Sequence, residues 1–235
     1  MTTYKEYLCL FLVIVLLFCS ISFMDAPIKS VISRQVSSSD TITVVIDAGH
    51  GGFDSGKVGV DGTLEKDINL LIAKKLEKLL QAADIHVVMT RTEDAGLYEN
   101  TSDNKKRQDM TNRIKLINEA NPACIVSIHQ NSYPEESVDG AQVFYYTGSD
   151  SGKLLAALIQ QELVTDVDPS NHRVEKANDS YYLLKNASAP IVIAECGFLS
   201  NYAESKKLVD DAYQQKLAWA IHMGILQYLN GLTTS

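Results

Sequence analysis

The chain has 235 residues, of which 46% are hydrophobic and 21% are charged, with a formal net charge of −8 and a pI of about 5.1. Once an N-terminal apolar segment is set aside, about 200 residues remain, which is enough for one domain with its own core. The acidic balance excludes the broad basic surface that neutralises phosphates, so we expect no nucleic-acid partner.

An apolar run near the N-terminus predicts export. Residues 8–23 are LCLFLVIVLLFCSISF, preceded by Lys5. This run is short for a membrane-spanning helix, which needs about 20 residues, and it lacks the polar face of a buried core helix. We therefore predict a signal peptide or signal anchor over 1–24 and a Ser-rich linker over 25–40. The protein would be secreted, or attached to the membrane through this segment, in the cell envelope.

Beyond residue 40, β-branched apolar runs alternate with apolar stripes at helical spacing. In chain order they predict a strand at 43–46, a helix at 64–80 capped by Thr63, a strand at 85–89, a helix at 110–120, strands at 124–128 and 143–146, a helix at 154–163, a strand at 191–194 and a helix at 217–228. This order predicts an α/β fold: a single domain over 41–231 with a largely parallel central sheet flanked by helices.

Polar motifs directly follow three of the predicted strands. They are DAGHGG at 47–52, HQNS at 129–132 and ECGF at 195–198. Ligands of open α/β sheets bind outside the carboxyl ends of the strands, so we expect His50, His129 and Glu195 to meet at one edge. Glu65 would join them from the first turn of the first helix, because the glycine-rich loop at 51–62 lets the backbone turn closely around a site.

These four residues, two histidines and two glutamates, suit a hydrolytic metal centre. Two imidazoles and one carboxylate form the ligand set of several catalytic zinc sites, which keep a fourth position for water. Zinc (Zn2+) lowers the pKa of that water, and a nearby carboxylate such as Glu195 can carry its proton to a leaving amine. Taken singly, each residue also has a structural interpretation, for example Glu65 as a favourable charge at a helix N-terminus. Their shared placement favours the metal.

Other polar residues are candidates for binding a substrate. Arg91 and Arg113 could pair either with carboxylates of the substrate or with buried acids, and Asn131 follows the histidine of the second motif. The two cysteines beyond residue 40 lie in apolar runs and predict buried free thiols. Cys196 should face away from the site if Glu195 faces it, because neighbouring side chains of a strand point in opposite directions.

Six ordered motifs resemble those of the zinc-dependent N-acetylmuramoyl-L-alanine amidases. They are IDAGHGG at 46–52, LEKDINL at 64–70, MTR at 89–91, NRIKLIN at 112–118, SIHQNS at 127–132 and ECGFLSN at 195–201. The resemblance implies zinc held by His50, Glu65 and His129, with Glu195 as the catalytic glutamate. It also implies hydrolysis of the amide bond between N-acetylmuramic acid and L-alanine in peptidoglycan. Ala48 replaces the usual proline of the first motif and leaves the ligand His50 intact.

Three stretches are similar to the germination-specific, CwlD-like amidases of endospore formers. They are RQDMTNRIKLIN at 107–118, GAQVFYY at 140–146 and YYLLKNASAP at 181–190. This similarity implies a role in maturation of the spore cortex, in the step before muramic-δ-lactam forms. It also implies a location around the developing spore and, as for some members of this branch, an accessory lipoprotein as a partner.

Two alternative functions stay open at this point. A zinc peptidase that cuts within the stem peptide would share the metal chemistry and differ only in its substrate groove. A non-catalytic wall-binding module would be a degenerate form of the same fold. Degeneration usually removes a ligand or the catalytic acid, and all four positions are present.

Overall fold

A six-stranded sheet lies at the centre of the computed structural model, which describes residues 41–233. Its strands are β1 (Thr43–Ala48), β2 (His86–Met89), β3 (Cys124–Asn131), β4 (Gln142–Tyr146), β5 (Lys176–Asn178) and β6 (Ile191–Phe198). Their order is β2-β1-β3-β6-β4-β5, and β4–β6 is the one antiparallel pair in this sheet. The predicted α/β fold with a largely parallel sheet is confirmed. The signal segment over 1–24 and the linker over 25–40 lie outside the described residues.

Helices cover both faces of the sheet. They are α1 (Glu65–Ala82), α2 (Lys105–Glu119), α3 (Asp150–Glu162), α4 (Tyr182–Asn186), α5 (Tyr202–Leu208) and α6 (Asp211–Thr233), with a π turn at Leu163–Val167 after α3. The core side chains of α1, α3 and α6 pack on one face, and those of α2 and α4 pack on the other. Within residues 41–233, no helix is long and apolar enough to cross a membrane.

Alternation along the strands divides the core into two layers. On β1, Val44 and Ile46 face the layer of α1, α3 and α6, whereas Val45 faces α2 and α4. On β3, Val126 likewise faces the layer of α1, α3 and α6, and Ile125 faces α2 and α4. Each large apolar side chain buried here contributes about 1.5–3 kcal/mol relative to exposure. Because both faces are covered, the strands are nearly continuous apolar runs, which made them recognisable in the sequence.

Three strands continue past the ends predicted from their apolar runs, and the first of them, β1, reaches Ala48. β3 and β6 reach Asn131 and Phe198, because they keep pairing in parallel through His129 and Glu195, with a register shift between His129 and Asn131. The prediction that the polar motifs begin after these strands was therefore wrong by several residues. Sequence patterning also missed β5, α4 and α5, which have three, five and seven residues and are too short to show a period.

The predicted cap of the first helix was also wrong. Leu64, rather than Thr63, occupies the N-cap position of α1, and its apolar side chain makes no capping hydrogen bond. Instead, the backbone N–H of Glu65 donates to the carbonyl of Lys57 at 2.9 Å, and that of Lys66 donates to Ser55 at 3.1 Å. The glycine-rich loop thus satisfies the free N–H groups of the helix and holds Glu65 at its first residue.

Candidate active site

Three donor side chains converge at the carboxyl edge of the sheet. Donor atoms of His50, Glu65 and His129 all lie within 4.8 Å of one another. Oε1 of Glu65 lies 3.2 Å from Nε2 of His50 and 2.9 Å from Nδ1 of His129. The two imidazole rings meet edge to face, with centroids 5.0 Å apart. These three residues could therefore hold a metal ion.

Glycines make this convergence sterically feasible. A Cβ atom on Gly49 would lie 2.3 Å from the ring of His129, and one on Gly56 would lie 2.5 Å from Oε2 of Glu65. Gly56 also has a φ of +68°, in the left-handed region that favours glycine. His50 itself adopts a φ of +62°, which costs a non-glycine residue roughly 1–3 kcal/mol and needs support from its surroundings.

Asp54 orients the first histidine. Its Oδ2 lies 3.1 Å from Nδ1 of His50, which leaves Nε2 of the same ring directed at Glu65. Although burial alone would lower the pKa of His50, hydrogen bonds to Asp54 and Glu65 raise it to about 9. The hydrogen bond from His50 in turn holds the pKa of Asp54 well below its usual value. A carboxylate behind a ligating histidine is a common outer partner of a metal.

Backbone groups fix the carboxylate of Glu65. Oε2 accepts the N–H of Lys57 at 2.7 Å, and Oε1 accepts the N–H of Gln130 at 3.1 Å. Burial alone would raise the pKa of Glu65, but hydrogen bonds and charge from His129 and His50 hold it well below its usual value. The buried carboxylate is therefore ionised and faces the point where the two rings meet.

Glu195 lies beside the three donors. On the paired strands β6 and β3 it is in register with His129, so both side chains face the same side of the sheet. Glu195 is only 7% exposed, and burial raises its pKa to about 7. Its Oε1 lies 3.4 Å from the hydroxyl of Tyr181, whereas its Oε2 finds no hydrogen-bond partner among the described residues. Cys196 packs in the opposite core layer, as predicted.

The two arginines use their donors within the protein. Nε of Arg113 lies 2.7 Å from Asp109, and its Nη1 lies 2.7 Å from Asp47. Nε of Arg91 donates to the carbonyl of Ala48 at 2.8 Å, and its Nη2 donates to that of Gly49 at 3.0 Å. For Arg113 these contacts favour the predicted pairing with buried acids over contact with a substrate. Arg91 instead donates to backbone carbonyl groups, which neither predicted role describes.

A cleft of about 410 Å3 opens over the four central residues. Its wall includes Asn131, whose Oδ1 accepts the N–H of Ser132 at 2.8 Å, so Asn131 keeps its position as a candidate for substrate binding. Other residues of the wall are Lys57, Lys106, Met110, Tyr181, Tyr182 and Leu183. The wall of the cleft thus combines cationic, aromatic and amide groups.

Sequence reasoning missed two residues of this site. Asp54 had a usable signal, since an acidic side chain four residues after His50 in a tight loop can contact the imidazole ring. Tyr181 opens the YYLLKNASAP stretch at 181–190, but that resemblance did not assign it to the site. It reaches the site through β5 and α4, which are too short to predict.

Comparison with known proteins identifies the family. Residues 44–227 match the family model described as N-acetylmuramoyl-L-alanine amidase. The chain belongs to this amidase family. Over 188 residues it is 37% identical to the germination-specific N-acetylmuramoyl-L-alanine amidase of Bacillus subtilis (strain 168), which covers 79% of this chain and 78% of that protein. The predicted amidase activity, with peptidoglycan as substrate, is confirmed by this membership.

Solved structures of amidases share the fold. The CwlD amidase from Clostridioides difficile, in complex with the GerS lipoprotein, is 43% identical with a TM-score of 0.78, covering 80% of this chain and 98% of that one. An N-acetylmuramoyl-L-alanine amidase from Clostridium difficile 630 is 35% identical with a TM-score of 0.73, covering 82% and 98%. The predicted similarity of this amidase to the CwlD-like branch is therefore confirmed.

Proposed function

We propose that this amidase is zinc-dependent, with His50, Glu65 and His129 as the ligands and Glu195 as the catalytic acid and base. Its substrate bond would be the amide between N-acetylmuramic acid and L-alanine. One observation carries the proposal: three donors within 4.8 Å of one another lie beside a buried carboxyl group, one oxygen of which has no hydrogen-bond partner within residues 41–233.

The donors fit zinc by their chemistry. Two imidazole nitrogens and one carboxylate oxygen form a known catalytic zinc set, and three protein ligands keep a position for water or substrate. Asp54 behind His50, and the N–H groups that hold Glu65, supply the outer contacts that such sites need. When bound there, zinc would polarise the amide carbonyl and acidify water.

Glu195 would move the proton. Its Oε2 takes a proton from the attacking water as the new C–O bond forms at the lactyl carbonyl. It then gives that proton to the alanine nitrogen as the C–N bond breaks, so that a lactyl carboxyl group and a free amine are released. A pKa of about 7 suits both steps, because each protonation state is accessible near neutral pH. Asn131 would contact the substrate from the wall of the cleft.

Digestion of purified peptidoglycan tests the bond and the residues together. We expect mass spectrometry to find free lactyl ends and stem peptides with new L-alanine termini. Glu195→Gln should lower kcat by about 10²–10⁴ while it retains zinc, whereas His129→Ala should lose the zinc. Shortened stems still attached to muramic acid would indicate a peptidase. Intact peptidoglycan, with zinc bound, would indicate a wall-binding module.

We also propose a role in spore-cortex maturation, in the step before muramic-δ-lactam forms. Similarity to the germination-specific amidase of Bacillus subtilis supports it. Deletion of the gene should give a cortex without muramic-δ-lactam, and complementation by Glu195→Gln should not restore it. A cortex of normal composition in the deletion strain would contradict this role.

Export and a partner complete the proposal. Residues 1–24 would direct the chain to the envelope, and the mass of the mature protein would distinguish a cleaved signal from a membrane anchor. Because the CwlD structure contains a lipoprotein, we propose an accessory lipoprotein for this chain as well. Affinity purification from sporulating cells, with zinc content measured with and without the recovered partner, tests that interaction.

A further inference from the structure

The hydroxyl group of Tyr181 contacts the proposed catalytic carboxyl group. Its oxygen lies 3.4 Å from Oε1 of Glu195, and both residues line the same cleft. Among the described residues, this hydroxyl is the hydrogen-bond donor that reaches the Glu195 side chain. The other oxygen, Oε2, has no hydrogen-bond partner in the part of the chain that the structure describes. The two oxygens of Glu195 thus have different surroundings.

The local fold holds Tyr181 in place independently of Glu195. Oδ1 of Asn178, at the end of β5, accepts the backbone N–H of Tyr181 at 3.0 Å and that of Ser180 at 2.8 Å. The phenol ring meets Phe144 of β4 edge to face, with centroids 5.7 Å apart. A phenylalanine would make the same ring contact, so the hydroxyl adds only its hydrogen bond to Glu195.

We propose that Tyr181 is a positioning residue of the reaction, whose hydroxyl holds Oε1 of Glu195 so that Oε2 faces the reacting water. This role rests on the proposed function of Glu195. The hydrogen bond suits both halves of the cycle: Oε1 accepts it as a carboxylate oxygen, and again as the carbonyl oxygen once Oε2 carries the proton. Burial and the Glu195 charge raise the pKa of Tyr181 above its usual value, so the phenol keeps its proton throughout.

Kinetics of Tyr181→Phe test this role, because the variant keeps the ring and removes only the donor. We expect kcat on a soluble muropeptide to fall about tenfold, with KM, zinc content and Tm unchanged. Tyr202→Phe is the matched control, since Tyr202 is 60% exposed on α5, and it should keep the wild-type kcat. A wild-type kcat in Tyr181→Phe, or a change confined to KM, would overturn the proposal.

A double-mutant cycle separates this role from a direct contact with the substrate. If the hydroxyl acts through Glu195, adding Tyr181→Phe to Glu195→Gln should lower kcat by less than about twofold further. A further tenfold loss in that background would show that the hydroxyl acts elsewhere and would overturn the proposal. Full activity of Glu195→Gln would refute the role of Glu195 itself, and the positioning role with it. An inactive Glu195→Gln beside a fully active Tyr181→Phe would refute the positioning role alone.

Discussion

Nη1 of Arg113 lies 2.7 Å from Oδ1 of Asp47, and both side chains are buried directly beneath the loop that carries His50. The same guanidinium donates to the carbonyl of Ala48 at 2.9 Å and to that of His50 at 2.5 Å. One side chain of α2 therefore ties the end of β1 to the proposed ligand His50, which has a left-handed backbone. We infer that the pair supports the geometry of the site from below.

Arg113→Met should destabilise the protein by about 3–5 kcal/mol, because it leaves the buried carboxylate of Asp47 without the positive charge of Arg113 beside it. Urea unfolding followed by circular dichroism measures this loss. Lys115→Met on the same helix is the control, since Lys115 is 71% exposed and lies 3.9 Å from Glu119; it should change stability by less than about 0.5 kcal/mol. Equal effects of the two substitutions would contradict the importance of the pair.

The same pair should make stability depend on acid pH. Burial alone would raise the pKa of Asp47, but Arg113 and Ser127 lower it from 3.8 to about 2. A carboxyl group with a depressed pKa adds stability that is fully present above pH 3.8 and is lost as the pH falls through about 2. For Asp47 this contribution to the free energy of unfolding is about 2 kcal/mol.

Asp47→Asn lacks this titration and serves as the reference. The difference between its free energy of unfolding and that of the wild type should narrow by about 1 kcal/mol from about pH 6 to about pH 3. Urea unfolding of both proteins in the same buffers measures it. A difference that stays constant over this range would show that Asp47 has an ordinary pKa.

Asp54→Asn should weaken zinc binding about 10–100-fold, because the carboxylate that orients His50 becomes a neutral amide. Competition with a fluorescent zinc chelator measures the affinity. Asp61→Asn, an exposed acid of the same loop that accepts the N–H of Thr63, is the matched control and should bind zinc as the wild type does. If both variants bind equally well, Asp54 has no role in holding the metal.

Two glycines of this loop should respond differently to alanine. Gly56 and Gly62 both have a left-handed backbone, so each substitution carries strain of about 1 kcal/mol. At Gly56 the new Cβ would also lie 2.5 Å from Oε2 of Glu65 and 2.7 Å from Cδ2 of His50, whereas at Gly62 it meets no heavy atom within 4 Å.

We therefore expect Gly56→Ala to lose zinc and to lower activity at least about tenfold, since it displaces two proposed ligands. Gly62→Ala should lose only the stability that the backbone strain costs, about 1 kcal/mol, and should keep its zinc. Metal analysis of both purified proteins, together with thermal unfolding, checks this pair. Full zinc content in Gly56→Ala would mean that the ligands tolerate the shift.

The fold class, the family and the residues that meet at the edge of the sheet could all be predicted from the amino-acid sequence. Apolar runs and helical stripes are local patterns that report which side chains are buried, and polar residues at the ends of such runs indicate a site. The opposite orientations of Glu195 and Cys196 were predictable for the same reason, because strand alternation is a property of adjacent residues.

The partners of these residues, in contrast, could not be predicted without the three-dimensional fold. From the sequence, Arg113 could pair either with the substrate or with a buried acid. In the structure it pairs beneath β1 with Asp47, which lies 66 positions away in the chain. Tyr181 reaches Glu195 through elements too short to show a period. Such contacts depend on how separate segments pack in three dimensions, and neither periodicity nor a motif encodes that packing locally.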